Sequence, residues 1–364
     1  MQKVNFSRDQ NNLFFKTLNQ RVNKYFKDNH LKRTGNWVLY VKASLMFAML
    51  FVPYFLLMLI PMNSWCQLLL CVCMGLGMAG VGMNVMHDSN HGSFSSKWWV
   101  NQLLGNSIYI LAGNVYNWKV QHNLIHHTYT NIEGVDEDID IQGVIRLSKH
   151  ATWKPFHKYQ KIYAFFLYGL LTIQWALVVD FRQTPKYIKF GLSAEGELNP
   201  KKEWALLIIT KIVYYLFWVV LPLLVLPIPW YAWLIGFLTM HYVAGFILSV
   251  VFQLAHITDA VDVISPEEVE TEKRSWAAHQ LLETANFATK NKMVSFFLGG
   301  LNFQIEHHIF PTISHIHYKD LAKIVKKTAT EFELPYYEYD TVKEALAAHV
   351  NQLIILGKQP QLGQ

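Results

Sequence analysis

Long apolar runs separated by charged segments dominate the pattern of this chain. A helix needs about 20 apolar residues to cross a bilayer, and four runs reach that length, at 43–61, 65–86, 204–226 and 230–255. The joins inside each pair, around Asn63 and Ile228, carry no charge and end in a tryptophan, a residue typical of the membrane interface. We therefore expect two hairpins of transmembrane helices.

The charged segments that flank the hairpins predict which side of the membrane the termini and loops lie on. Residues 1–42 carry nine lysines or arginines, and the 182–202 loop carries five. Because cytoplasmic flanks of membrane proteins are rich in Lys and Arg, we expect both termini and this loop in the cytosol. A crossing by the apolar stretch 162–181 would put the basic loop outside. We therefore interpret it, and the shorter stretch 100–115, as interfacial or re-entrant helices on the cytosolic face.

These elements predict an all-α integral membrane fold: four transmembrane helices in two hairpins, interfacial helices and a cytosolic cap. The expected domains are a cytosolic N-terminal segment (1–36), a membrane domain (37–318) and a cytosolic helical tail (319–364). Apolar residues at helical spacing over 13–26 predict a further helix lying at the interface. We expect Lys211, inside the third run, to extend its ammonium back toward the cytosol.

Composition supports this interpretation and excludes some functions. Apolar residues make up 52% of the chain and charged residues only 16%, whereas soluble domains carry about 25% charge. The net charge of +6 suits a cytosol-facing surface. The basic residues lack any nucleic-acid-binding motif, so we expect no nucleic-acid partner. Three cysteines within residues 66–73 fit neither a zinc pattern nor a disulfide framework.

Clustered histidines are the candidate metal ligands of this chain. Residues four apart share one side of a helix, so a pair at that spacing can present two imidazoles to one point. Eight histidines fall after the second run, after the 100–115 stretch and after the fourth run: His87, His91, His122, His126, His127, His256, His307 and His308. In the expected topology all eight lie on one side of the bilayer, which indicates a site for two metal ions. Imidazole suits zinc, copper, iron and nickel; iron is favoured if the site activates oxygen.

The remaining histidines have simpler interpretations. We expect His30, His150, His157 and His349 to be surface residues, and His241, in the middle of a span, to be a hydrogen-bonded core residue. His279 and the pair at 315 and 317 stay ambiguous. Asp88, Asp136, Asp138 and Glu306 are candidates to orient imidazole N–H groups.

The residues around the histidines resemble the membrane fatty acid desaturase family, with three histidine boxes in the right order and spacing. The resemblance covers roughly residues 35–330 and is closest to front-end acyl desaturases, including the cyanobacterial delta-6 type. It rests on these segments: HDSNHGSFS, HNLIHHTYTNIEGVDED, QLLETANFA and GGLNFQIEHHIFPTISHIHY.

This resemblance implies that the eight histidines bind two iron ions (Fe²⁺/Fe³⁺), with O2 as co-substrate. Front-end members carry Gln in the third box where most relatives carry His. Gln304 holds that place here, as a weak ligand or a donor to iron-bound water. Structurally known relatives have a lone ligand histidine after the fourth span, here His256. Four residues earlier they have Asn, but this chain has Phe252, so the adjacent Gln253 is a substitute for the water-binding residue.

The resemblance also implies a reaction and its partners. The protein is expected to introduce a cis double bond into an acyl chain of a lipid or thioester, in a bacterial cell membrane. No HPGG haem motif of a fused cytochrome b5 domain occurs. Electrons are therefore expected from a separate protein, such as ferredoxin or cytochrome b5, whose acidity would suit a basic cytosolic face.

Two alternatives stay open from the residues. A di-iron hydroxylase or ketolase on the same scaffold would place oxygen on the carbon instead of removing a second hydrogen. A metal transporter could also display histidines, but it needs ionisable residues along a path through the membrane centre, where the sequence places only His241. The sequence does not give the position of the double bond.

Overall fold

The computed structural model describes residues 4–7, 12–139 and 143–360. These residues form two compact units. The first unit comprises the described residues within 1–35, 121–164 and 251–364, and the second unit comprises residues 36–120 and 165–250. The domain boundaries expected from the sequence stay a prediction.

Four helices within the described residues are long and apolar enough to cross a membrane, as the apolar runs predicted. They are Trp37–Leu59, Ser64–Asn90, Pro200–Val225 and Trp230–His256. Three begin earlier than the apolar runs because asparagines cap them: the side chains of Asn36, Asn63 and Asn199 accept hydrogen bonds from backbone N–H groups of the first turn. The predicted fold class, an integral membrane protein of four such helices, is confirmed.

Small residues let the spanning helices of the second unit pack closely. A Cβ on Gly77 would lie 2.5 Å from the backbone nitrogen of Leu50, and one on Gly75 would lie 2.6 Å from the carbonyl oxygen of Met240. Within a bilayer the hydrophobic effect does not drive helices together, so such close backbone approaches supply the packing energy.

The predicted re-entrant stretch is a broken helix. Pro155–Tyr168 and Leu171–Lys189 meet at a bend of 67°, and together they are apolar enough for one broken span or a re-entrant loop. Gly169 lies at the bend, where a Cβ would be 2.2 Å from the ring of Tyr242. The other stretch forms the short helix Trp98–Gly105 and a 3₁₀ turn, Asn106–Leu111.

Two expectations about single elements are wrong. Lys211 does not extend toward water: it is buried, forms a 2.7 Å ion pair with Asp180, and donates to the carbonyl oxygens of Ala112 and Trp175. The N-terminal amphipathic helix, Asn12–Asp28, does not keep its apolar face for a membrane. That face packs in the first unit against the helix Tyr318–Glu331. In both cases a partner distant in sequence provides the surroundings that the local pattern assigned to lipid or water.

A pair of three-residue strands was not expected from the sequence. Strand β1 (Ala285–Phe287) pairs in parallel with β2 (Tyr337–Tyr339), with Asn286 opposite Glu338. The remaining helical elements of the described residues are short or amphipathic. They are Gly82–Met86, His87–Asn90, Val115–Trp118, Lys119–His126, His127–Tyr129, Pro155–Tyr159, Gln160–Tyr168, Leu171–Gln174, Trp175–Val179, Asp180–Lys189, Pro266–Thr271, Trp276–Leu282, Lys292–Phe297, Gln304–Ile309, His315–His317 and Val342–Gly357.

Candidate metal centre

The second histidine box lies on an unusual helix. Lys119–His126 is π-helical, with i→i+5 hydrogen bonding, and continues into His127–Tyr129. Such segments are frequent at functional sites. The wider turn brings Nε2 of His122 within 3.3 Å of Nε2 of His127, five residues on. The sequence predicted only the i, i+4 pairing of His122 with His126, whose rings also stack, at 5.3 Å.

The third box is fixed by hydrogen bonds to strand β1. It forms the short buried helix Gln304–Ile309. Asn286 of β1 accepts from the backbone N–H of Ile305 at 3.0 Å and donates to Glu306 at 2.8 Å, while the hydroxyl of Tyr336 donates to the other oxygen of Glu306 at 3.0 Å. Glu306 therefore anchors the box helix and does not orient an imidazole.

Three imidazoles of the first unit converge on one point. Ring nitrogens of His126, His256 and His308 lie within 4.8 Å of one another, and all three residues are fully buried. Nδ1 of His126 is bound to Asp136 at 2.8 Å, and Nδ1 of His308 to Gln280 at 2.9 Å. Within the described residues, the Nε2 atoms of His126 and His308 have no hydrogen-bond partner.

A second group of nitrogens shares His308. His127, His307 and His308 also lie within 4.8 Å of one another, and Nδ1 of His307 is 3.1 Å from the hydroxyl of Tyr318. A third group joins His122 and His126 to Asp138. The six histidines that the sequence assigned to the second and third boxes and to position 256 are therefore brought together in the first unit.

Burial and neighbouring charges shift the pKa values of this cluster. Burial, with the neighbouring histidines, lowers the pKa of His308 well below its usual range, so its imidazole is neutral and keeps a lone pair. Burial alone would lower the pKa of His126, but the carboxylates of Asp136 and Asp138 raise it. Converging imidazoles, three of which have Nδ1 held by a carboxylate, an amide or a hydroxyl group, are the arrangement of metal ligands. The donor set therefore fits a transition metal.

The first box lies in the second unit. The π-helix Gly82–Met86 leads into His87–Asn90. The rings of His87 and His91 are 4.7 Å apart, as the i, i+4 spacing predicted, and both lie edge-on to Trp118 at 5.8 and 5.5 Å. Asp88 is 3.9 Å from Nδ1 of His87.

The two glutamines proposed as weak ligands are both buried. Gln304 lies beside the imidazole of His256. Within the part of the chain described, Oε1 of Gln253 has no hydrogen-bond partner. Phe252 packs its ring against His126 and His256 at 5.1 and 4.6 Å, which makes this side of the cluster apolar.

Sequence reasoning missed several residues that support the cluster. Gln280 and Tyr318 hold Nδ1 atoms of the third box, and Thr130 lies 2.8 Å from the Gln280 oxygen. The indole N–H of Trp276 donates to the carbonyl of His127 at 3.0 Å. The available signal was the pair of polar residues His279 and Gln280 in the helix Trp276–Leu282, whose other residues are apolar.

Histidines outside the cluster test the burial that the sequence predicted for them. His157 and His349, expected at the surface, are fully buried. His157 binds the carbonyl of Gly143 at 3.1 Å, and Nδ1 of His349 binds that of Ile257 at 2.7 Å. His241 is the hydrogen-bonded core histidine that was expected: it contacts Tyr214 at 2.6 Å and Thr172 at 2.9 Å.

Comparison with known proteins agrees with this geometry. Residues 63–340 match the fatty acid desaturase family. The sn-1 linoleoyl-lipid 6-desaturase of Arthrospira platensis is 31% identical, over 96% of this chain and 94% of that protein. The enzyme of the same name from Synechocystis is 33% identical, over 95% and 96%. The acyl-lipid (8-3)-desaturase of Physcomitrium patens is 30% identical, over 96% and 72%.

The family match covers most of the chain, and it includes all three boxes with the cluster of buried imidazoles. Membership brings with it the class of reaction, an oxidation of fatty acyl chains. The chain is therefore an oxidoreductase that belongs to the fatty acid desaturase family.

Proposed function

We propose that this protein is a front-end acyl-lipid desaturase, which places a cis double bond between an existing double bond and the carboxyl end of an acyl chain. Gln304 in the third box and the names of the relatives, a lipid 6-desaturase and an acyl-lipid (8-3)-desaturase, support this choice. The reaction removes two hydrogens from neighbouring methylenes. With two electrons and two protons it reduces O2 to two molecules of water.

The observation that carries the proposal is the group of His126, His256 and His308, with unpartnered Nε2 atoms on two of them among the described residues. Two iron ions held by the eight predicted histidines would supply oxygen activation, which an unactivated C–H bond requires. Imidazole ligands suit iron, and the neutral state of His308 keeps its lone pair available.

The other residues of the cluster orient these ligands. Asp136 accepts from Nδ1 of His126, so the lone pair of that ring is on Nε2, which has no hydrogen-bond partner within the described residues. Gln280 holds His308 and Tyr318 holds His307 in the same way. We assign Gln304 and Gln253 to binding water at the centre, since both are buried and Gln304 lies beside His256.

The partners follow from the same proposal. The substrate is an acyl chain of a membrane lipid, and a redox protein such as ferredoxin or cytochrome b5 supplies the electrons. We place the histidines, both termini and the 182–202 loop in the cytosol of a bacterial cell, on the basis of the charged flanks. Cysteines introduced at Asn63 and Lys189 test this, in a chain whose native Cys66, Cys71 and Cys73 are replaced by serine because Cys66 is exposed close to Asn63. An impermeant thiol reagent applied to intact cells should label only the first, and labelling of only the second would reverse the topology.

Product analysis tests the reaction. The chain is expressed in a host fed defined fatty acids, and new double bonds are mapped by mass spectrometry. We expect a new cis double bond on the carboxyl side of an existing one, formed only with O2 and a reductant. A hydroxylated product without an alkene, or activity without O2, would overturn the assignment as a desaturase. A new bond on the methyl side would overturn only its front-end type.

Iron content tests the ligand assignment at the position outside the boxes. His256→Ala should lower the iron per purified protein and abolish turnover while the protein still inserts. The matched control is His349→Ala, another fully buried histidine of the first unit, which contacts a carbonyl and should keep its iron. Full iron content in His256→Ala would remove this residue from the ligand set.

A further inference from the structure

A groove in the first unit is lined by residues outside the histidine boxes. It has a volume of about 430 Å³ and lies between the helical segment that starts at Pro155 and the end of the helix Val342–Gly357. Three exposed lysines line it, Lys158, Lys161 and Lys358, together with the indole of Trp153. We call it the lysine groove.

The walls of the lysine groove are held in place by hydrogen bonds to one helix end. The indole N–H of Trp153 donates to the carbonyl of Gly357 at 2.9 Å, the guanidinium of Arg146 to that of Leu356 at 2.8 Å, and the amide of Gln160 to that of Leu353 at 2.9 Å. At Gly357 a Cβ would lie 2.6 Å from the carbonyl of His157. These bonds satisfy carbonyls that would otherwise give the helix end a partial negative charge.

The charge of the groove is not neutralised internally. Among the residues that the structure describes, no carboxylate lies within ion-pair distance of Lys158, Lys161 or Lys358. The guanidinium of Arg146 adds a buried positive charge, and its hydrogen bonds go to the carbonyls of Lys149, Ala151 and Leu356. The groove is therefore suited to an anion.

The same helical segment presents an apolar face beside the lysines. Tyr159 and Ile162 lie three residues apart, and they are 56% and 69% exposed. The opposite side, which includes Gln160 and Ala164, is buried in the protein. Exposed aromatic and aliphatic side chains flanked by lysines are the pattern of a helix lying in the interface of a membrane.

We propose that the lysine groove binds the phosphate of an anionic membrane lipid, with Tyr159 and Ile162 lying among the acyl chains. Each lysine contributes Coulomb attraction to the phosphate, and Trp153 provides an apolar wall beside it. An acidic soluble protein would match the charge but not the apolar face, so the combination favours a lipid. The proposal is independent of which acyl chain the protein desaturates.

Lipid titration tests the proposal. Fluorescent phosphatidylglycerol and phosphatidylcholine are titrated into the purified full-length protein in detergent. The parent should bind phosphatidylglycerol more tightly, and Lys158→Gln/Lys161→Gln/Lys358→Gln should weaken that binding at least about ten-fold. The control Lys24→Gln/Lys27→Gln/Lys343→Gln makes the same charge change at exposed lysines elsewhere in the first unit and should bind as the parent does.

A charge-conserving variant and a competition experiment complete the test. The Lys→Arg triple variant at the groove keeps the charge and should restore binding, which separates electrostatic recognition from misfolding. Glycerol 3-phosphate should not displace the lipid at equal concentration; if it does, the groove is a site for soluble phosphate. Equal binding of both lipids by the parent, or equal loss in the groove and control variants, would overturn the proposal.

Discussion

Each of the two units buries a cluster of polar groups, and the clusters differ in what their atoms contact. In the second unit the buried ammonium of Lys211 has three acceptors: Asp180, Ala112 and Trp175. Asn117 donates to Asp180 at 3.0 Å and accepts from Thr184 at 3.0 Å. In the first unit Nδ1 of His126 and Nδ1 of His308 each have a hydrogen-bond partner, whereas the Nε2 atoms of both rings have none among the described residues.

This difference distinguishes a structural network from a binding site. A buried polar group without a hydrogen bond is unfavourable by about 1–3 kcal/mol. A closed network avoids that loss within the protein itself. Converging nitrogens avoid it only when something binds between them, so the open cluster, and not the closed one, indicates a ligand.

Removing the shared nitrogen should have the largest effect. His308 belongs to two of the ligand groups, so His308→Ala should abolish turnover and lower the iron content of purified protein. His241→Ala is the control, since His241 is buried in the second unit and bound by Tyr214 and Thr172. It should keep its iron. Equal iron loss in both variants would contradict the comparison between open and closed clusters.

Breaking the closed network should affect stability without affecting iron. Lys211→Met leaves the buried carboxylate of Asp180 unpaired, which typically destabilises a protein by about 3–5 kcal/mol. We expect a lower Tm by tryptophan fluorescence and an unchanged iron content per folded protein. Lys211→Met/Asp180→Asn removes both charges, keeps an acceptor for Asn117, and should recover most of the loss. A double variant no more stable than the single one would contradict the role of the ion pair.

These two clusters also show how far the sequence can be interpreted. Runs of about 20 apolar residues identified the spans, and pairs of histidines four apart identified the boxes. The partner of Lys211 lies 31 residues earlier in sequence, so hydropathy could only treat this lysine as a charge seeking water. The prediction that His157 and His349 lie at the surface was wrong for the same reason, because only the fold brings their carbonyl partners close. The strands that contain Asn286 and Glu338 have three residues each, too few for an alternating apolar and polar pattern to be recognised in the sequence.

His349, a buried histidine outside the cluster, should make the stability of the protein depend on pH. Burial lowers the pKa of His349 to about 4, against about 6.5 unfolded. Between pH 6.5 and 4 the unfolded chain takes up a proton at this position and the folded chain does not. Stability therefore falls as the pH falls, by about 3 kcal/mol in total for this group. In His349→Asn the acid limb of Tm against pH should be shallower; an identical limb would contradict the shift.

The smallest expected effect concerns the carboxylates beside His126, and it separates an orienting group from a ligand. Asp136 binds Nδ1 of His126 at 2.8 Å, whereas Asp138 lies 3.7 Å from that atom. Loss of a carboxylate that holds a metal-binding histidine typically weakens metal affinity about 10–100-fold. Asp136→Asn should therefore lose iron to a chelator within that range. Asp138→Asn should lose less, because no direct hydrogen bond to His126 is removed. The reverse order would make Asp138 itself a ligand, as its place in a group with His122 and His126 allows, and the ligand set of the open cluster would then include a carboxylate.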